Sequence, residues 1–181
     1  MTKTLFFKTN TTGLPLWKEP SEDPGQPWVV ELCCALVDGH ELIDSYDVIV
    51  RPGVPIPSET SDIHGITDAI AASEGVDPGE MYERFMELVR QADRLAGFNI
   101  SSDIRPMRIM SAKVTGMNWE NNLPTLCLMS EAAPLCRLLG ARPRHPEDWK
   151  KPKLDEAVPM LLGVPVANDR RARTNITQVR A

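Results

Sequence analysis

Apolar and polar positions change their spacing several times along this chain. The opening stretch "LFFKTNTTGLPLW" predicts a buried strand over 4–8 that runs into a glycine turn. The Pro-rich, charged segment 18–27 reads as an excursion loop. "WVVELCCALVD" (28–38) is apolar almost throughout, as expected of a strand covered on both faces. A turn at 38–40 and a third strand over 41–50 complete a three-stranded meander.

The prolines of "RPGVPIP" exclude helix and central strand. Beyond them the spacing becomes helical. Two short helices are expected on either side of His64-Gly65. In "DPGEMYERFMELVRQAD", Met81, Phe85, Leu88, Val89 and Ala92 share one face, the mark of an amphipathic helix. "RLAGFNI" (94–100) reads as a fourth strand. Ser101 is expected to cap a helix whose first turns tolerate Pro106. "TLCLMSEAAPLCRLL" combines a short strand with a helix, and "KKPKLDEAVPMLLG" is a helix stopped by Gly163. "RARTNITQVRA" starts like a further helix. Three strands, helices, one strand and more helices predict an α/β sandwich. Its cleft should open where the carboxyl ends of strands one and four approach each other.

Composition narrows the functional classes. A chain of 181 residues is long enough for one sizeable core. The net charge of -5 argues against a basic field over the whole surface, though not against a local basic groove. No apolar run reaches the ~18 residues needed to cross a bilayer. No signal-peptide pattern follows Met1, so a cytoplasmic location is expected and no membrane association. Cys33, Cys34, Cys127 and Cys136 show no zinc spacing and read as reduced core cysteines. His40, His64 and His145 form no ligand pair.

Three short segments then occur in order: Lys8-Thr9-Asn10-Thr11-Thr12-Gly13, Phe98-Asn99-Ile100-Ser101-Ser102-Asp103, and Arg173 to Ala181. With "IPSETSDIHGIT" (56–67) they resemble the motifs of the DEDDh 3′–5′ exonuclease family over nearly the whole chain. Those motifs read Asp-x-Glu-Thr-Thr-Gly, His-Asn-x-x-Phe-Asp and His-x-x-x-x-Asp-x-Arg-Ala. The resemblance implies a ribonuclease-H-like (DnaQ-like) α/β fold, a central mixed sheet flanked by helices, over 1–181 as a single domain. It also implies that the family's last helix is truncated here.

The departures from the motifs carry the functional expectation. In the family, four carboxylates hold two Mg2+ or Mn2+ ions and a histidine activates the attacking water. Here Lys8, Asn10, Arg173 and Gln178 stand at four of those five positions, and Asp103 is the carboxylate that remains. Magnesium needs hard oxygen ligands, and arginine cannot act as a base near neutral pH. No catalytic residue set and no metal or cofactor is therefore expected. Asp169 and Glu156 lie outside the motifs and offer no substitute. Lys8 and Arg173 are expected to pair with Asp103, two cations standing where two metal ions would.

By the same resemblance, Thr11, Thr12, Gly13, Leu14, His64, Phe98 and Asn99 stand where the family contacts its substrate strand. Lys8, Arg170, Arg171, Arg173, Phe98 and Trp17 could line a groove for single-stranded nucleic acid. The expected protein is thus a catalytically inactive exonuclease fold that binds a nucleic-acid 3′ end or a protein partner. The alternatives are a 3′–5′ exonuclease with an atypical site and a purely protein-interacting module.

Overall fold

The computed structural model describes residues 2–140, 145, 148–166, 171, 172 and 176. Five strands form one mixed sheet: β1 Lys3–Thr11, β2 Val29–Asp38, β3 Glu41–Ile49, β4 Arg94–Gly97 and β5 Thr125–Cys127. Their order is β3-β2-β1-β4-β5. β1 pairs antiparallel with β2 and parallel with β4, so the carboxyl ends of β1 and β4 lie side by side as expected. The helices are α1 Ser58–His64, α2 Asp68–Glu74, α3 Pro78–Gln91, α4 Ser101–Thr115, α5 Leu128–Cys136 and α6 Leu154–Leu162.

The apolar faces predicted from spacing are the ones that pack. Met81, Phe85, Leu88 and Val89 of α3 join Met107 and Met110 of α4 against Leu5, Phe7, Leu32, Cys34 and Leu36 of the sheet. Edge-on aromatic contacts at 5.2 Å and 5.3 Å link Phe7 to Phe85 and Phe85 to Trp119. The opposite face of β2 presents Val30 to Ile56, Ile66 and Ala71, and Cys33 and Ala35 to Ala172 and Ile176. β2 is therefore covered on both sides, and the sequence reflects this in a nearly unbroken apolar run. All four cysteines are free thiols, and Cys33, Cys34 and Cys136 are buried. Among the described residues no helix is long and apolar enough to cross a membrane.

Three local expectations are corrected. β1 extends to Thr11 rather than ending at residue 8, because Lys8, Thr9, Asn10 and Thr11 keep their pairing with β2. A bulge at Asn10/Thr11 skips Val30 in that pairing, the kind of irregularity that re-aims side chains beside sites. β4 stops at Gly97 instead of continuing to residue 100, since Asn99 adopts a left-handed φ of 62°. Gly97 is required there: a Cβ would lie 2.9 Å from Ile100 Cδ1 and 3.2 Å from the Phe7 carbonyl. Ser101 is not the cap of α4. The cap position falls on Ile100, in helical geometry and without a capping side chain.

Candidate functional site

Alternation along β1 sets the site. Leu5, Phe7 and Thr9 are buried, while Phe6, Lys8 and Asn10 are partly exposed on the other side of the strand. Opposite the strand end stands the first turn of α4, which carries Asp103. A carboxylate near a helix N-terminus is favoured by the helix dipole. Asp103 is completely buried, and its Oδ1 accepts three hydrogen bonds: from Lys8 Nζ at 2.8 Å, Thr9 N–H at 2.9 Å and Thr9 Oγ1 at 3.1 Å. Its Oδ2 is buried with no partner. The ion pair expected between Lys8 and Asp103 is present. Arg173 and Gln178 lie outside the described residues, as do Asp169 and Arg170.

A second carboxylate, outside the family motifs, is buried beside the end of β1. Glu31 on β2 is completely buried opposite Asn10. Its Oε2 accepts from Asn10 Nδ2 at 2.7 Å and from Ala172 N–H at 2.9 Å, and its Oε1 pairs with Arg171 Nε at 2.7 Å. Arg171 was expected to line a groove; instead it neutralises Glu31. The signal was available in the sequence. A glutamate inside an apolar run covered on both faces must have partners, because an unpaired buried charge is too costly to persist.

His64 ends α1 and is buried. Its Nδ1 accepts from Ile66 N–H at 3.1 Å, which leaves the ring proton on Nε2. Nε2 makes no hydrogen bond of standard geometry, although the Thr11 backbone lies beside it. Burial holds the His64 pKa below its ordinary value, against the opposing pull of Glu31 and the Thr11 backbone.

These elements enclose a cavity of about 330 Å³ whose wall includes Lys8, Asn10, Thr11, Gly13, Leu14 and His64. Trp17 and Ile63 flank it; Leu14 is 88% exposed and Trp17 61%. The loop that presents them is tied down by one residue. Gln26, itself buried, donates through Nε2 to the carbonyls of Leu16, Glu19 and Pro20 and accepts from Leu16 N–H.

Three of the sequence-predicted contact residues are not on this wall. Thr12 is buried, and its hydroxyl accepts from Trp28 N–H at 3.0 Å. Asn99 shapes the turn before α4 by bonding to Ser101 and Ser102. Phe98 packs on Ala132, Cys136 and Ala157, in a separate apolar cleft between α5 and α6. With β4 ended at Gly97, residue 98 has already left the strand direction that would aim it at Lys8.

The sheet order, the helices on both faces and a site at the ends of β1 and β4 define an exonuclease-type ribonuclease-H-like fold. The chain belongs to the DnaQ-like exonuclease family RNase_T, whose profile matches residues 11–139. It is 26% identical over 138 residues to a DNA polymerase III subunit epsilon-like protein of Rhodobacter capsulatus, spanning 66% of this chain and 19% of that protein. It is 26% identical over 110 residues to the PolC-type DNA polymerase III of Thermotoga maritima, spanning 61% of this chain and 7% of that one. Exonuclease I of E. coli, solved in complex with a dT13 oligonucleotide, superposes over 99% of this chain and 40% of its own, with a TM-score of 0.71 and 15% identity. The chain therefore spans less than half the length of each of these proteins.

Among the described residues, the donors at the ends of β1 and β4 do not fit a two-metal centre. An ammonium group sits 2.8 Å from one oxygen of Asp103. Both oxygens of Glu31 are already taken by Asn10, Arg171 and Ala172. A lysine and a carboxamide supply no anionic ligand. Among the described residues no group of three or more His, Cys, Asp or Glu is placed to hold a metal ion.

Proposed function

We propose that this chain is a catalytically inactive exonuclease-fold protein that holds the 3′ end of a single-stranded nucleic acid without cleaving it. The observation that carries this reading is the Lys8–Asp103 ion pair, which places a fixed cation against the carboxylate a metal would need. Two-metal hydrolysis requires ions that stabilise both the attacking and the leaving oxygen. The donor set around Lys8 and Asn10 offers neither ion a place. The cavity nevertheless keeps features suited to a strand end: a cation, and exposed apolar surfaces at Leu14, Trp17 and Ile63 on which bases can stack. The oligonucleotide bound by the structurally similar Exonuclease I supports the choice of ligand.

A labelled single strand incubated with the purified protein and Mg2+ or Mn2+ tests this reading. No 3′ trimming is expected. Trimming that disappears in Asp103→Ala would instead establish an exonuclease with an atypical site.

A protein-interaction reading draws on a different surface. The apolar cleft between α5 and α6 measures about 180 Å³ and is lined by Phe98, Leu128, Leu135, Val158 and Leu161. It lies apart from the Lys8 cavity, so the two readings are compatible. The Lys8 cavity carries the more specific chemistry, and the first reading is adopted.

A further inference from the structure

Resting on the nucleic-acid reading above, we propose that Lys8 is the phosphate-binding cation of this cavity, so that the protein holds a nucleotide phosphate with no divalent ion. An ammonium group has three donors and no acceptor. One proton goes to Asp103 Oδ1, and the Lys8 side chain remains 27% exposed where it lines the cavity. The remaining protons are available to a ligand. His64 lines the same cavity as a neutral ring, its Nδ1 accepting from Ile66 N–H and its buried Nε2 facing the Thr11 backbone, so the donors on offer are those of Lys8. Among the described residues, no Asp or Glu lines the cavity. An ammonium on a wall whose described residues include no carboxylate suits an anionic acceptor, and phosphate oxygens are such acceptors.

The fully buried Asp103 gives Lys8 its fixed position. Carboxylate, ammonium and incoming phosphate alternate in sign from the interior outward. The Lys8–Asp103 pair is neutral as a whole, so the attraction is short-ranged and made of directed hydrogen bonds. It should therefore add little to the salt dependence, less than the roughly 0.7 that one neutralised phosphate contributes to the slope of log K against log salt for a single strand. The cavity volume of about 330 Å³ is in the range of small-ligand pockets. Leu14, Trp17 and Ile63 stand around it to receive a base. A metal ion bound to carboxylates can be stripped by a chelator; a tethered ammonium cannot.

The test is fluorescence anisotropy of a labelled strand of about ten thymidines, within the span of known single-strand sites, in Mg2+ and in excess EDTA. Equal affinity in the two conditions is expected. Lys8→Met alone would leave the buried Asp103 charge without its cation and could unfold the chain. The variant to read is therefore Lys8→Met with Asp103→Asn, which removes both charges, its folding checked by thermal unfolding. It should bind about tenfold more weakly, with a salt slope close to the parent's because the net charge is unchanged. Lys8→Arg, which keeps the cation, should bind in EDTA like the parent. Binding that appears only with Mg2+ or Mn2+ overturns the proposal and leaves the nucleic-acid reading standing, and this arm needs no variant. A double variant that binds as tightly as the parent overturns it as well. No binding under either condition removes both.

Discussion

Asp103 and Glu31 are two completely buried carboxylates beside the same stretch of β1, and they are satisfied in opposite ways. Glu31 has partners on both oxygens, three residues from two parts of the chain: Asn10 on β1, and Arg171 and Ala172 side by side. Asp103 has three donors crowded on one oxygen and none on the other. Glu31 is a closed knot that fastens the segment around 171–172 to the sheet. Asp103 is half spent, and its one cationic partner reaches into a cavity. Buried charges tend to be saturated when their work is structural and left unsaturated where a site has to change its contents. On the reading proposed above, Glu31 serves stability and the Lys8–Asp103 pair serves ligand chemistry.

Breaking the closed knot should cost most. Glu31→Ala strands the Asn10 amide and the Ala172 N–H and leaves Arg171 without its carboxylate. Losing one side of a buried pair typically costs roughly 3–5 kcal/mol, and denaturant unfolding should show a loss in that range. A loss smaller than that for Asp103→Ala would erase the distinction drawn here.

Asp103→Ala should cost less, about 1–3 kcal/mol, because Lys8 can turn to solvent and an unpaired acceptor disappears with the carboxylate. Adding Lys8→Met should recover part of that loss, since no cation is then left without its carboxylate. Thermal unfolding of the single and double variants separates the two cases. A double variant no more stable than the single would mean that the stranded Lys8 charge is not what the loss reflects.

The smallest effect concerns pH. His64 has its folded-state pKa depressed below the ordinary 6.5 by burial. Its contribution to stability is therefore complete above the unfolded value and is lost as pH falls through the folded one, since the unfolded chain binds the proton more readily. Stability should decline on acidification below about pH 6.5. His64→Gln should flatten that decline in a series of melting curves, and an unchanged slope would place the titration elsewhere.

The fold was readable from the sequence because its signal is repetitive. The apolar run of β2 and the buried face of α3 each involve several residues, and one misplaced boundary does not hide them. The site depends on single residues and was only partly legible. Lys8, Asn10 and Asp103 could be located because a family pattern fixes their spacing. Glu31 is hidden in the sequence because its neighbours are apolar and the run carries a strand signal as a whole. Phe98 was expected at the groove because spacing along a motif does not reveal that β4 ends one residue earlier. Arg171 was grouped with exposed cations because its partner lies on β2, 140 residues away in the chain.

Gln26 has a kinetic and entropic consequence for the cavity. One side-chain amide holds three carbonyls and one N–H of the loop that presents Leu14 and Trp17. The freedom of that loop is given up when the chain folds, before any ligand arrives. Fixing the backbone of a residue costs about 1–2 kcal/mol, and for the backbone groups that Gln26 holds this cost falls on folding and not on binding. A strand end docking on Trp17 meets a surface with one conformation to recognise. Selection among ligands then rests on their fit to that fixed surface, with little scope for the loop to mould itself around whichever strand is present.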